Sequence, residues 1–232
     1  MGHIHLTVPD PDAQLKVWTD VLGGQPVKAG PLSMVKFPGI FIIVAKANAT
    51  EGSNGSTVNH IGFLVKSYAD LKAKLAAAHI ESVLDNEKNK QIIANFPDNV
   101  RVEFFEDASL SVPITFHHIH LASTEPEALR DWYVKTFGGE ATQRRIYPGA
   151  KIPGGEVDVQ KVDSPAAPTK GRTLDHIGFE VQDLEAFTKK LEADGVKFDS
   201  PLRDVPAIGL KIAFVFDPVG TRIELTQGLA GR

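Results

Sequence analysis

The sequence contains no cysteine. This excludes disulfides, thiolate metal ligands and a cysteine nucleophile, and it leaves the redox compartment undefined. An excess of basic charge is also missing. Lys+Arg number 25 against 29 Asp+Glu in 232 residues, a formal charge of −4. That balance argues against a nucleic-acid-binding surface. No apolar run reaches the roughly 18 residues of a membrane span. There is no Walker A loop, no G-x-G-x-x-G, no His-Glu-x-x-His, no G-x-S-x-G and no long heptad stretch. No secretory leader is visible, so a cytoplasmic location is expected, with secretion left open only if a leader has been trimmed. What remains is ordinary globular material, 42% hydrophobic and 23% charged.

The chain repeats itself. His-Ile pairs begin at His3, His60, His118 and His176, spaced 57, 58 and 58 residues apart. Leu22-Gly23-Gly24 and Phe137-Gly138-Gly139 lie 115 apart, and Leu75 and Leu191 lie 116 apart. A unit of about 58 residues has been doubled, then doubled again.

Each unit opens with an alternating strand and continues into a helical stretch: Asp12 to Leu22, Tyr68 to Ala78, Glu127 to Phe137, Leu184 to Ala193. Glycines at 23, 138 and 195 fall where helices stop. Three short strands complete each unit, the last being Phe41 to Ala45, Val100 to Phe105, Val157 to Val162 and Arg222 to Thr226. The expected fold class is α+β: four βαβββ modules paired into two domains with curved mixed sheets. The expected modules are 1–57 and 58–112 in an N-terminal domain, and 113–172 and 173–232 in a C-terminal domain.

Side chains alternate across a strand. Ile119 and Leu121 share one face, and His118 and His120 the other. Ile177 and Phe179 oppose His176 and Gly178. The aliphatic face must lie under the helix, so the histidines face the other side. His117 is expected on the helix side. Glu103 and Glu224 fall on the histidine face of their closing strands. Two modules side by side would close a trough around these groups. Pairing within each half offers His3, His60 and Glu103 in one trough and His118, His176 and Glu224 in the other. Two imidazoles and a carboxylate suit a divalent metal and leave coordination positions open.

These features resemble the vicinal oxygen chelate superfamily, which includes glyoxalase I, extradiol dioxygenases and bleomycin resistance proteins. The resemblance covers nearly all of the chain, with four units rather than the commoner two. It implies ligands at the start of a first strand and in a last strand, which map here onto His3, His60, His118, His176, Glu103 and Glu224. The layout is similar to that of extradiol dioxygenases, whose metal lies in the C-terminal half, here His118, His176 and Glu224. Phe216-Asp217-Pro218-Val219-Gly220-Thr221-Arg222-Ile223-Glu224 looks like the end of the extradiol signature. The chain departs from it in having Phe214 where that signature has tyrosine, and in lacking a histidine after His176. Glyoxalase I takes a second carboxylate from the other unit. Unit one has none in its closing strand, and unit three offers Asp158 or Gln160.

The resemblance implies a metal-dependent enzyme, glyoxalase- or dioxygenase-like, acting on a small substrate with adjacent oxygens by bidentate chelation. Lyase, isomerase and ring-cleaving dioxygenase (oxidoreductase) outcomes share that step. Fe(II), Mn(II), Zn(II) or Ni(II) would serve. Glu224 and His120 are the candidate proton carriers. Arg144, Arg145, Tyr147, Arg203 and His5 are candidate substrate contacts, because guanidinium forks suit carboxylate or phosphate. The alternative is a non-catalytic small-molecule-binding protein of the bleomycin resistance type. No nucleic-acid or membrane partner is expected, and the chain would act as a monomer or homodimer.

Overall fold

The computed structural model describes residues 2–153 and 155–232. Each expected module is present. The first comprises β1 (Gly2–Val8), α1 (Pro11–Lys16, continued by a wider helical turn, Val17–Val21), β2 (Gln25–Ala29), β3 (Leu32–Phe37) and β4 (Ile40–Lys46). The second comprises β5 (Val58–Val65), α2 (Tyr68–Ala77), β6 (Glu81–Asn86), β7 (Gln91–Phe96) and β8 (Val100–Glu106). The third comprises β9 (Ile114–Ser123), α3 (Pro126–Phe137), β10 (Glu140–Arg144), β11 (Tyr147–Ile152) and β12 (Gly155–Lys161). The fourth comprises β13 (Leu174–Glu180), α4 (Leu184–Ala193), β14 (Phe198–Val205), β15 (Leu210–Phe216) and β16 (Arg222–Gln227).

Local chemistry sets the helix ends. Asp10, Ser67 and Asp183 accept backbone N–H bonds from the first turns of α1, α2 and α4. Pro11 and Pro126 enter at the first helical turn, where no donor is lost. The α3 helix stops at Gly138, whose φ of 71° is strained for any residue with a Cβ.

The strands form two eight-stranded mixed sheets, in the orders β14-β15-β16-β13-β1-β4-β3-β2 and β10-β11-β12-β9-β5-β8-β7-β6. Modules one and four therefore share one sheet, termed outer, and modules two and three share the other, termed inner. This corrects the expected pairing of consecutive modules within each half. The first strands join antiparallel at each centre, Ile4 opposite Ile177 and Ile61 opposite Ile119. All four modules carry the same unpaired first-strand edge, so the edge alone does not choose the partner. The helix-covered faces share one large apolar core, which includes Ile4, Ile61, Ile119, Ile177, Trp18 and Tyr133.

The opposite faces of the two sheets differ. In the outer sheet Met34, Phe41, Ile43, Ile212, Phe214 and Leu229 are buried together in a second apolar cluster. The two hairpin tips meet there, since a Cβ on Gly30 would lie 2.9 Å from Ile208. In the inner sheet Ile93, Phe105 and Tyr147 are only half-buried. Leu84 and Ile146 are 37% and 78% exposed. The outer trough is filled by its own walls, and the inner one is open along them.

Candidate metal centres

The register places the chemistry. On the outer sheet His3 and His176 come from the antiparallel first strands and Glu224 from β16. His3 Nε2 lies 2.8 Å and His176 Nε2 3.0 Å from the same Glu224 oxygen, Oε2. On the inner sheet His60 and His118 occupy the matching positions, and Glu103 comes from β8. Both Nε2 atoms lie 3.3 Å from Glu103 Oε2. All six residues are buried.

The expected trios therefore regroup. His118 stands with His60 and Glu103, and His176 and Glu224 stand with His3. The cause is the module pairing. A centre forms only between modules that share a sheet, and halves of the chain do not. Glu224 and His120, the two candidate proton carriers, lie on different sheets, so only one of them can serve a given centre.

A second histidine accompanies each set. His120 stacks on His60 at 4.5 Å between ring centroids, and His5 stacks on His176 at 4.4 Å. The repeat has glycine at the equivalent position of the other two modules. A Cβ on Gly62 would fall 2.0 Å from the His118 ring, and one on Gly178 would fall 2.0 Å from the His3 ring. Each glycine makes room for the imidazole that crosses from the neighbouring strand.

Three histidines are held by the residue immediately before them. His60 Nδ1 donates to Asn59 Oδ1 at 2.9 Å, and His176 Nδ1 donates to Asp175 Oδ1 at 2.6 Å. His117 and His118 share a bond between their Nδ1 atoms at 2.9 Å. Strict alternation would send these preceding side chains to the helix face. The ladder is instead irregular between Val58 and His60, between His118 and Phe116, and between His176 and Leu174. Each irregularity inserts one unpaired residue and turns it. His117 is thus a partner of His118 rather than a helix-side residue. Gly2 precedes His3 and offers no side chain, and His3 Nδ1 has no partner among the described residues.

These bonds fix the tautomers. With Nδ1–H donated, neutral His60 and His176 present a bare Nε2 lone pair to a carboxylate oxygen. Two lone pairs at about 3 Å repel unless a cation sits between them. At His176 a proton serves in the metal-free state. Burial pushes the His176 pKa down, but bonds to Asp175 and Glu224 outweigh it and raise it. Burial pushes Glu103 and Glu224 up, yet their histidine bonds hold both well below the usual carboxylate range. On the inner sheet burial lowers His118 to about 3 and His120 to about 2, so both rings are neutral near pH 7.

The donor set fits a divalent ion. Ring nitrogens of His60, His118 and His120 lie within 4.8 Å of one another, as do ligand atoms of His3, His176 and Glu224. Both nitrogens of His120 are buried without a hydrogen-bond partner among the described residues, and His118 Nε2 meets only Glu103 Oε2, at 3.3 Å. Oriented imidazoles, an ionised carboxylate and buried orphan nitrogens are what such an ion requires.

The other expected contacts divide. Tyr147 meets His120 edge-on at 4.7 Å. Arg144 Nε donates to buried Asp158 at 2.6 Å. Arg145 occupies the exposed β10–β11 turn, 5.2 Å from the Phe105 ring centroid. Arg203 is exposed on β14, at the edge of the outer sheet, so it does not reach the inner trough. Composition and alternation did not single out Gln91, whose Nε2 donates to Glu103 Oε1 at 2.6 Å. A cavity of about 700 Å³ lies by Phe137, Phe179 and Phe187, away from both histidine sets.

The comparisons agree with this architecture. Residues 115–225 match the family model of the Glyoxalase/Bleomycin resistance protein/Dioxygenase superfamily. Glyoxalase I from Zea mays superposes with a TM-score of 0.78 at 15% identity, covering 97% of this chain and 91% of that one. A putative dioxygenase from Bacillus subtilis superposes with a TM-score of 0.74 at 16% identity, covering 98% and 84%. No curated protein sequence matches the chain. The likeness to that superfamily thus lies in residues 115–225, and the whole chain shares the fold of the two superposed structures, in a four-module, two-sheet form. No helix among the described residues is long and apolar enough to cross a membrane.

Proposed function

We propose that the protein is a metal-dependent vicinal oxygen chelate enzyme and that the inner trough is its working site. The observation that carries this is the convergence of His60 and His118 on Glu103 Oε2, each at 3.3 Å, beneath walls that remain partly exposed. His60, His118 and Glu103 would hold the ion there. A bound divalent ion would act as a Lewis acid toward adjacent substrate oxygens.

The chain's own residues shape the rest. One wall is apolar, with Leu84, Ile93 and Phe105, and it suits the hydrocarbon part of a small substrate. The other carries Tyr147 and Arg145, which can donate hydrogen bonds to its oxygens. His120 is neutral, buried and without a partner on either nitrogen among the described residues, so it offers a lone pair to a substrate hydroxyl. His3, His176 and Glu224 offer a second ligand set behind apolar walls.

Metal-stripped protein should be titrated separately with Fe(II), under anaerobic conditions, and with Mn(II), Zn(II) and Ni(II). Binding is read by calorimetry and elemental analysis. Two sites are expected, one abolished by His60→Ala and the other by His176→Ala. The loaded protein is then screened with catechols and with a methylglyoxal hemithioacetal. Failure to bind any of the four ions would remove the enzyme reading and leave a small-molecule-binding protein.

A further inference from the structure

We infer that Arg144 holds Asp158 out of the inner metal-ligand set and so fixes how many coordination positions stay open. The inference rests on the metal reading above. Register is its starting point. Glu103 lies opposite Gly62, and Asp158 lies opposite His120. Gly62 and His120 are the same position of the repeat, so Asp158 is the counterpart of Glu103. In the outer sheet Glu224 lies opposite Gly178, and the fourth counterpart, opposite His5, is Ile43. Only the inner sheet has carboxylates at both positions.

Asp158 is fully buried, yet it does not face the histidines as Glu103 does. Its oxygen nearest His118 is Oδ2, 3.9 Å from Nε2. That same oxygen is capped by Arg144 through Nε at 2.6 Å and through Nη2. The other oxygen, Oδ1, has no partner and turns toward β11, where a Cβ on Gly149 would stand 2.8 Å away. The lone pairs aimed at the centre are occupied, and the unoccupied ones are aimed elsewhere. The guanidinium also cancels the charge of Asp158, leaving Glu103 as the one uncompensated carboxylate beside His60 and His118. Arg144 is held on its outer side by the Phe105 ring, 5.7 Å from its centroid. A centre with two imidazoles and one carboxylate keeps more positions open for substrate oxygens than one with two carboxylates.

The test compares Arg144→Met, Asp158→Asn and the double variant, each in a Glu224→Gln background that silences the outer set. Ni(II) is the probe, read by calorimetry and by the shift in melting temperature. Asp158→Asn should leave Ni(II) affinity within about twofold. Arg144→Met should raise it about tenfold or more, in the range of effects seen for groups that hold metal ligands. The double variant should return to the parent value. Without metal, Arg144→Met should melt lower than the double variant, because it leaves a buried carboxylate uncompensated. Loss of affinity on Asp158→Asn alone would make Asp158 a ligand already and overturn the inference. So would unchanged affinity in Arg144→Met when the parent binds Ni(II). Silence in the parent and in every variant would instead overturn the metal reading, and this inference with it. Binding gained only in Arg144→Met would support the inference.

Discussion

The His118 ring lies in the space that a side chain on Gly62 would fill, since a Cβ there would stand only 2.0 Å from the ring's Cε1 atom. Gly178 and His3 repeat the relationship across the outer sheet. The missing side chain is therefore as much a part of each centre as the imidazole above it.

Replacing Gly62 with alanine should push the His118 ring out of position. Overpacking of this kind costs about 1 to 3 kcal/mol. The denaturant midpoint should drop accordingly, and the inner metal equivalent should be lost while the outer one is retained. An alanine variant with both equivalents intact would show that ring placement is not critical.

Asp175 should matter to the outer centre through His176. It accepts from His176 Nδ1 at 2.6 Å and from Arg222 at 2.9 Å. Asp175→Ala should weaken outer-site metal binding roughly 10- to 100-fold. Asp175→Asn keeps an oxygen acceptor and should recover part of that loss. If alanine and asparagine bind metal equally well, the bond has no role in orienting the ring. Isothermal titration of both variants decides the matter.

The metal-free protein should become less stable as pH falls from about 7 toward 5. Burial lowers His5 and His118 to about 3 and His120 to about 2. In the unfolded chain these groups titrate near 6.5, so there the unfolded state binds more protons than the folded one. Stability therefore rises with pH through this window. Glu103, Glu224 and Asp175 are held low, and they contribute stability above about 4.5 that is lost in stronger acid. His120→Gln should flatten the pH 5–7 slope of the unfolding free energy in chelator-treated protein. An unchanged slope would mean that His120 takes up its proton in the fold over the same pH range as in the unfolded chain.

Asp217 opposes that trend. Burial raises its carboxyl to about 6, although Thr221, Tyr133 and Val219 bond to it. The fold holds this proton longer than the unfolded chain does. Its stabilising contribution is complete below about 4 and is lost as pH rises through 6. Asp217→Asn can keep the bonds without the charge. It should match the parent near pH 4 and exceed it at pH 8, by up to about 3 kcal/mol for a shift of this size. Equal stability at pH 8 would show that the carboxylate is better solvated than its burial suggests.

Much of this was legible in the sequence. The 58-residue period, the four helices, the first-strand histidines and the two closing-strand glutamates all follow from spacing and alternation. The partnering of modules did not. His3 and His118 both open a His-Ile-His run, and His60 and His176 both open a His-Ile-Gly run. Nothing local says that β1 joins β13 while β5 joins β9. The holding residues escaped for a different reason. Asn59, His117 and Asp175 sit at irregular ladder positions, and a period of two assigns them to the wrong face. Asp158 could be named as a candidate carboxylate, but its capture by Arg144 depends on a cross-strand contact that no repeat spacing reveals.

The pairing of β1 with β13 has a consequence for synthesis. Gly2 faces Phe179, so β1 leaves the ribosome long before the strand it joins. At about 5 to 20 residues per second, roughly 170 intervening residues take on the order of 10 to 35 seconds. Modules two and three are consecutive and can close meanwhile, so the molecule is assembled from the inside out. Its newborn chain must carry a bare half-sheet, with His3 and His5 along the unjoined edge, until the fourth module arrives to clasp it.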